Sequence, residues 1–292
     1  MLAETEILPD SPSLPQGFRM VRGPGMRVWV LREGASPTPD VDLWDRWIRG
    51  GEGRVLADPG GRAPVYQIEG EGIGRVVLRS FHHGGLFGKL LGNRFLGAGR
   101  FLAELRVSEA IRREGVPTPE VLALYLRRTG GGVCRGWILT RYVPGGGNLR
   151  QWAEAGLPGK SERHRVLRLA ARTVSTLHAA GCLHPDLNLS NLLLVPDGMF
   201  VLDLDGAFVE PSLGVRARTD TFLRLYRSLA KVMHTDEPLS VRDRWVFVKA
   251  YADGNREDSR ALWRYLGSRW SLARARSRLS RRVRRVIHGT SV

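Results

Sequence analysis

The sequence predicts an α+β chain of two lobes, a first built on a small antiparallel sheet and a second that is mainly helical. Three observations carry this. Short apolar segments at Arg54–Ala57, Val65–Ile68 and Arg75–Leu78 are separated by glycine turns, as consecutive antiparallel strands are. Helical spacing dominates the second half and is clearest over Arg163–Ala180. Between the halves, the run PGGGN at 144–148 reads as a hinge. The expected organisation is therefore an extension with a short helix over 1–50, a first lobe over 51–143 and a helical lobe over 144–292.

Taken in order, residues 1–40 hold Pro9, Pro12, Pro15, Pro24, Pro37 and Pro39 and read as a loosely ordered lead-in. Leu43, Trp44, Trp47 and Ile48 then recur at helical spacing over Asp40–Ile48. After the three strands, Leu102, Leu105, Val107 and Ile111 mark a helix over Phe101–Arg113, closed by Gly115 and Pro117. Val121–Arg127 and Trp137–Tyr142 read as two more strands. Leu167, Ala170, Val174 and Leu177 form one stripe of the next helix, with Gly181 at its C-terminal cap.

A chain of 292 residues with 42% hydrophobic and 25% charged residues can bury a sizeable core and is ordinary for a globular protein. No run reaches the roughly 18 apolar residues of a membrane-spanning helix, and the start MLAETEILPD lacks the pattern of a secretory signal. Cys134 and Cys182 fit no metal or redox spacing, so a reducing cytosol is expected. The anomaly is charge: 45 Lys and Arg against 29 Asp and Glu, net +16. Such a balance predicts attraction to a polyanion: nucleic acid, an acidic lipid surface or a phosphorylated glycolipid.

The chemistry concentrates in CLHPDLNLSNLLLVPDGMFVLDLDGAF, residues 182–208. Leu192–Val195 and Met199–Leu202 flank Pro196-Asp197-Gly198, a hairpin signal. In a hairpin the start of one strand and the end of the next lie side by side, so Asn191 and Asp203 emerge at one end. An amide oxygen and a carboxylate suit Mg2+, a hard ion that completes its shell with water and substrate phosphates. Asp186, five residues before Asn191, sits on the loop feeding the hairpin, where its carboxylate can take a proton from an attacking hydroxyl. The order Asp186, Asn191, Asp203 repeats the protein-kinase template of a catalytic Asp, an Asn five residues on and a later metal-binding Asp. Each piece alone is commonly a turn or a surface residue. Together they predict a bilobal protein-kinase-like fold that transfers phosphate from ATP with Mg2+.

Such a fold also needs a cation on the nucleotide phosphates and an acid to hold it. Glu104 is the candidate acid, against the plain reading of a solvated helix-face glutamate. Arg79, on the third strand, and Lys89, within GGLFGK, compete as the cation, with Arg79 preferred for its strand position. Gly60 and Gly61 lie between the first and second strands, where a phosphate-covering loop belongs, whereas GEGIG at 70–74 lies one turn later. His82 and His83 read equally as loop surface or substrate contacts.

With LRSFHHGGLFGKL, FLAELRVSEAIRREGVPTP, HPDLNLSNLLL and VLDLDGA in this order, the chain resembles the lipopolysaccharide kinase family, most nearly its members that phosphorylate Kdo, an acidic octulosonate sugar. The resemblance spans about residues 54–210. It implies an ATP-dependent sugar kinase with Asp186 as base and Asn191 and Asp203 as metal ligands, acting at the cytoplasmic face of the inner membrane on an inner-core glycolipid. Pro185, Ser190 and Leu204 depart from the family's usual small residue, histidine and aromatic. The first two bear on acceptor choice.

Nine arginines between 264 and 285 interleave with Leu266, Trp270, Leu272, Leu279, Val283 and Ile287 in a basic amphipathic helix. It reads as a terminal helix packed on the second lobe or as a contact to an anionic membrane, with nucleic acid less favoured. No protein partner is called for. Heptose as acceptor, a small-molecule kinase of the antibiotic-phosphorylating type, and an inactive kinase fold used as a binding module are the alternatives. Arg79 in place of lysine motivates the last.

Overall fold

The computed structural model describes residues 14–35, 37, 40–49, 53–57, 64–70, 72–83, 92–267 and 269–270. The chain divides into two compact units, one of residues up to Arg112 together with Pro119–Val143, the other of Arg113–Thr118 together with the chain from Pro144. Gly60, Gly61, Lys89 and the basic segment beyond Trp270 lie outside the described residues.

The first unit is built on one antiparallel sheet. Its strands are β1 (Phe18–Gly23), β2 (Arg27–Arg32), β3 (Arg54–Ala57), β4 (Val65–Gly70), β5 (Gly74–Ser80), β6 (Phe95–Leu96), β7 (Val121–Arg128) and β8 (Val133–Arg141). They run in the order β1-β2-β7-β8-β5-β4-β3, with β6 paired to β8. The expected consecutive hairpins β3–β4–β5 are present, in register from Arg54 opposite Gln67 and Tyr66 opposite Leu78. Strand β8 begins at Val133, earlier than expected, because Gly136 belongs inside it: a Cβ there would lie 2.6 Å from the Phe101 ring.

The lead-in is the main correction. Residues 18–32 are not loose: β1 and β2 form a hairpin, and β2 pairs with β7 through Leu31 opposite Ala123 and Trp29 opposite Tyr125. Of the six prolines that suggested a loop, only Pro24 falls within the hairpin, in its turn Gly23-Pro24-Gly25. Strand β2 reads as a continuous apolar run because both its faces are covered. Val28 and Val30 join Phe81, Phe101, Leu102 and Leu105 on one face, and Trp29 and Leu31 join Trp44, Trp47, Tyr125 and Trp137 on the other. Helix α1 (Val41–Ile48), capped by the Asp40 side chain, supplies Trp44 and Trp47 to the second face. Helix α2 (Gly99–Arg113) supplies Phe101, Leu102 and Leu105 to the first.

In the second unit α3 (Leu149–Glu154) is opened by a capping box between Asn148 and Gln151, and α4 (Lys160–Ala179) follows. Then come β10 (Cys182–Leu183), a 3-10 turn at Leu189–Asn191, and the hairpin β11 (Leu192–Val195) and β12 (Gly198–Val201). Strand β9 (Gly147–Asn148) pairs with β11, and β10 pairs with β13 (Phe208–Val209). Helices α5 (Val215–Val232) and α6 (Val241–Tyr251) follow, and residues 256–267 are helical again.

Candidate active site

In the second unit the site begins where α4 ends. Gly181 turns the chain with φ +69°, and its carbonyl accepts from Glu210 N at 2.9 Å, so β10 starts beside β13. The next residues are held by His184, whose ring is 1% exposed. Its Nε2 lies 3.3 Å from the Leu202 carbonyl, and its Nδ1 accepts from Asp186 N at 3.3 Å. Those partners fix the neutral tautomer with the proton on Nε2, and burial pushes the imidazole pKa down. The ring thus ties the Asp186 loop to the end of β12, one residue before Asp203.

Two amides complete the turn. Asn191 Nδ2 and Asn188 Nδ2 both donate to the Asp186 carbonyl, at 3.0 and 3.1 Å. Asn188 Oδ1 accepts from Ser190 N at 2.8 Å, which caps the 3-10 turn. Leu202 N donates to the Asn191 carbonyl at 2.9 Å, so Asn191 and the segment leading to Asp203 lie side by side, as the hairpin predicted. With Nδ2 engaged, the Asn191 amide has Oδ1 left to offer a cation. The Asp186 side chain is exposed, and Asp203 Oδ1 is shut off from water.

Asp203 has φ +57°, one of four described non-glycine residues at positive φ. Asp tolerates this left-handed region better than most residues, at a cost of about 1 kcal/mol or more. A strained, half-buried carboxylate, on backbone adjoining that of Asn191, offers the kind of oxygen a hard ion seeks. Among the described residues no group of three or more His, Cys, Asp or Glu is placed to hold a metal. Mg2+ needs no such cage, because one or two protein oxygens suffice when phosphates and water supply the rest.

Sequence reasoning did not single out Arg224 on α5. Its Nη1 donates to the His184 carbonyl at 3.0 Å, and its guanidinium lies in the field of Asp186. An arginine 38 residues downstream of Asp186 has no local spacing to reveal it. Ser228, from the same helix, accepts from Leu189 N at 3.3 Å.

In the first unit Arg79 Nη2 donates to Glu104 Oε1 at 2.5 Å. Glu104 is 5% exposed, and the Arg79 guanidinium lies 5.0 Å from the Phe81 ring centroid. Glu104 is therefore no solvated helix-face residue: it is buried and ion-paired with the strand arginine. A second arginine–glutamate pair, Arg32 with Glu109, buries another carboxylate of α2. His82 Nδ1 lies 3.1 Å from Ser80 Oγ, and His83 stacks on Phe95 at 4.0 Å, both local contacts.

Residues 47–251 match the family described as lipopolysaccharide kinase (Kdo/WaaP). The chain belongs to that family. Relatives include the 3-deoxy-D-manno-octulosonic acid kinases of Xanthomonas oryzae pv. oryzae, 31% identical over 66% of this chain and 76% of the relative, and of Stenotrophomonas maltophilia, 30% identical over the same shares. That of Photobacterium profundum is 26% identical over 70% and 85%. A solved structure of WaaP in complex with acyl carrier protein is similar over 84% of this chain and 97% of that one, with a TM-score of 0.56 and 20% identity. At that identity the likeness speaks for the fold: the bilobal, kinase-like α+β architecture. Membership of a kinase family makes the chain a phosphotransferase with a sugar hydroxyl as acceptor.

Proposed function

We propose that the chain is an ATP-dependent kinase of an inner-core lipopolysaccharide sugar, and that its acceptor is Kdo of Kdo-lipid A. The observation that carries the reading is the His184 clamp, which joins the Asp186 loop to the residue before Asp203, with Asn191 bonded to the same loop. A pure scaffold has no need of these three oxygen-bearing side chains in one turn-and-hairpin unit, which speaks against the inactive binding module.

In this mechanism the exposed Asp186 carboxylate accepts the proton of the acceptor hydroxyl and orients its oxygen toward the transferred phosphorus. Asn191 Oδ1 and the Asp203 carboxylate are the oxygens that would hold Mg2+, which would neutralise charge on the nucleotide phosphates. Arg79, steadied by Glu104, would offer nucleotide phosphates a fork rather than a point charge. The phosphate cover assigned to Gly60 and Gly61, and the competing role of Lys89, remain proposals from the sequence alone.

Net charge of +16 favours an acidic glycolipid acceptor over the cationic drugs of antibiotic kinases. It also suits work at the cytoplasmic face of an anionic inner membrane. No helix among the described residues is long and apolar enough to cross one. The sequence calls for no protein partner; that WaaP was solved in complex with acyl carrier protein stands against that expectation.

The test is a panel of acceptors with Mg–ATP: Kdo-lipid A, a heptosylated core and an aminoglycoside. Phosphate on Kdo is expected. Transfer to heptose alone would move the acceptor, and transfer to none by folded, nucleotide-binding protein would defeat the reading.

A further inference from the structure

Away from the site, α6 and the helical residues 256–267 enclose an open groove lined by Val241, Arg242, Trp245, Arg260, Trp263 and Arg264. We infer that this groove is a docking surface for an anionic phospholipid bilayer, with the arginines on headgroup phosphates and the tryptophans at the interface.

The spacing builds it. Arg242 and Trp245 are three apart on α6, and Arg260, Trp263 and Arg264 share one face of the following helix. Trp245 and Trp263 meet edge to face at 5.3 Å, and Trp263 rests on the buried Trp270 at 4.8 Å, so the aromatic floor is fixed. Val241 beside it is 61% exposed. All three arginines are exposed, and none forms an ion pair among the described residues, although Glu257 and Asp258 lie on the same helix. The single side-chain bond among them runs from Arg264 Nε to the Arg260 carbonyl at 3.4 Å. By contrast, Arg163, Arg165 and Arg269 of the same unit are paired with Asp243, Glu162 and Asp220.

Three unneutralised guanidiniums around two half-buried indoles match one environment in particular. Indoles settle at the level of lipid headgroups, where one end of the ring is apolar and the other wet. Guanidiniums bind phosphate bidentately and keep their stems on apolar surface. Negative surface potential rewards each basic residue. Nucleic acid would use the arginines but leave the exposed valine without a role.

The proposal does not depend on which sugar is phosphorylated, because vesicle binding is read without turnover. The full chain is floated with vesicles of phosphatidylcholine alone and of phosphatidylcholine with one quarter phosphatidylglycerol, at about 0.1 M salt. Binding to the anionic vesicles alone is expected. The triple variant R242Q/R260Q/R264Q weakens it at least roughly tenfold, while Mg–ATP stabilisation and transfer to a water-soluble acceptor stay as in the parent. A control with the same charge change elsewhere, R19Q/R127Q/R172Q, binds within about threefold of the parent. The inference is overturned if the parent ignores anionic vesicles, if the groove variant binds as the parent does, or if both triple variants lose equally. A parent that transfer RNA or acyl carrier protein strips from the vesicles while binding to this groove would overturn it as well.

Discussion

Asp203 sits in a left-handed backbone conformation at the mouth of a hairpin, and asparagine is the residue type that shares its tolerance of that conformation. Asp203→Asn should therefore keep stability within about 1 kcal/mol of the parent. It should also lose the magnesium-dependent part of stabilisation by nucleotide, read as a thermal shift with ATP in the presence and absence of Mg2+. At the other pole, Glu104 is 5% exposed and ion-paired with Arg79. Replacing Arg79 by Met removes one partner of a buried carboxylate, which should cost up to roughly 3 kcal/mol. Urea unfolding measures that loss, while Arg79→Lys recovers most of it with a raised KM for ATP. An unchanged KM in Arg79→Met would return the phosphate role to Lys89. Arg224 acts through another group: without its bond to the His184 carbonyl the loop carrying Asp186 loosens, so kcat falls more than KM rises.

The elements differ in how far the sequence revealed them. Strands β3 to β5, helix α4 and the β11–β12 hairpin each carry their own signal, a period or a turn, and stand where expected. Strands β1 and β2 carried an apolar run, FRMVRG then RVWVLR, but the surrounding prolines read as disorder; only the pairing with β7, about 95 residues away, shows that the run is covered on both faces. Helix α3 is six residues long, too short for periodicity, although its Asn148–Gln151 capping box was there to be read. Of the site, the triplet Asp186, Asn191, Asp203 was legible because its members are close in sequence. The Arg79–Glu104 pair was expected from the kinase template, which asks for an acid to hold the phosphate cation, and the structure pairs them; Arg224 was not legible, because only folding brings it to the His184 carbonyl. Gly181 is an element-scale test. An alanine Cβ there would lie 2.0 Å from the Glu210 carbonyl oxygen, on backbone at φ +69°. Gly181→Ala should cost at least roughly 2 kcal/mol and separate β10 from β13, seen as faster amide exchange at Cys182 and Val209.

For the whole molecule, acid stability is a further consequence of burial. His178, packed beneath Tyr251 with Nδ1 2.9 Å from the phenol oxygen, has its pKa lowered from 6.5 to about 4 by burial and by Arg218. A histidine that stays neutral in the fold binds its proton more readily when unfolded. The stability it contributes is complete above pH 6.5 and is lost as pH falls toward 4, by roughly 3 kcal/mol. Urea midpoints at pH 7 and 4.5 should differ accordingly, and His178→Phe should flatten that limb. Tyr251, raised to about 12 by burial, adds an alkaline limb above its ordinary value of 10.

Catalysis itself is most directly tested by Asp186→Ala, with ATP affinity and phosphate transfer measured on the same preparation. ATP should bind within about threefold of the parent while turnover falls by roughly 100- to 10,000-fold. Equal loss of binding and turnover, or transfer that survives the substitution, would contradict the role of Asp186 and the phosphotransfer centre built around it.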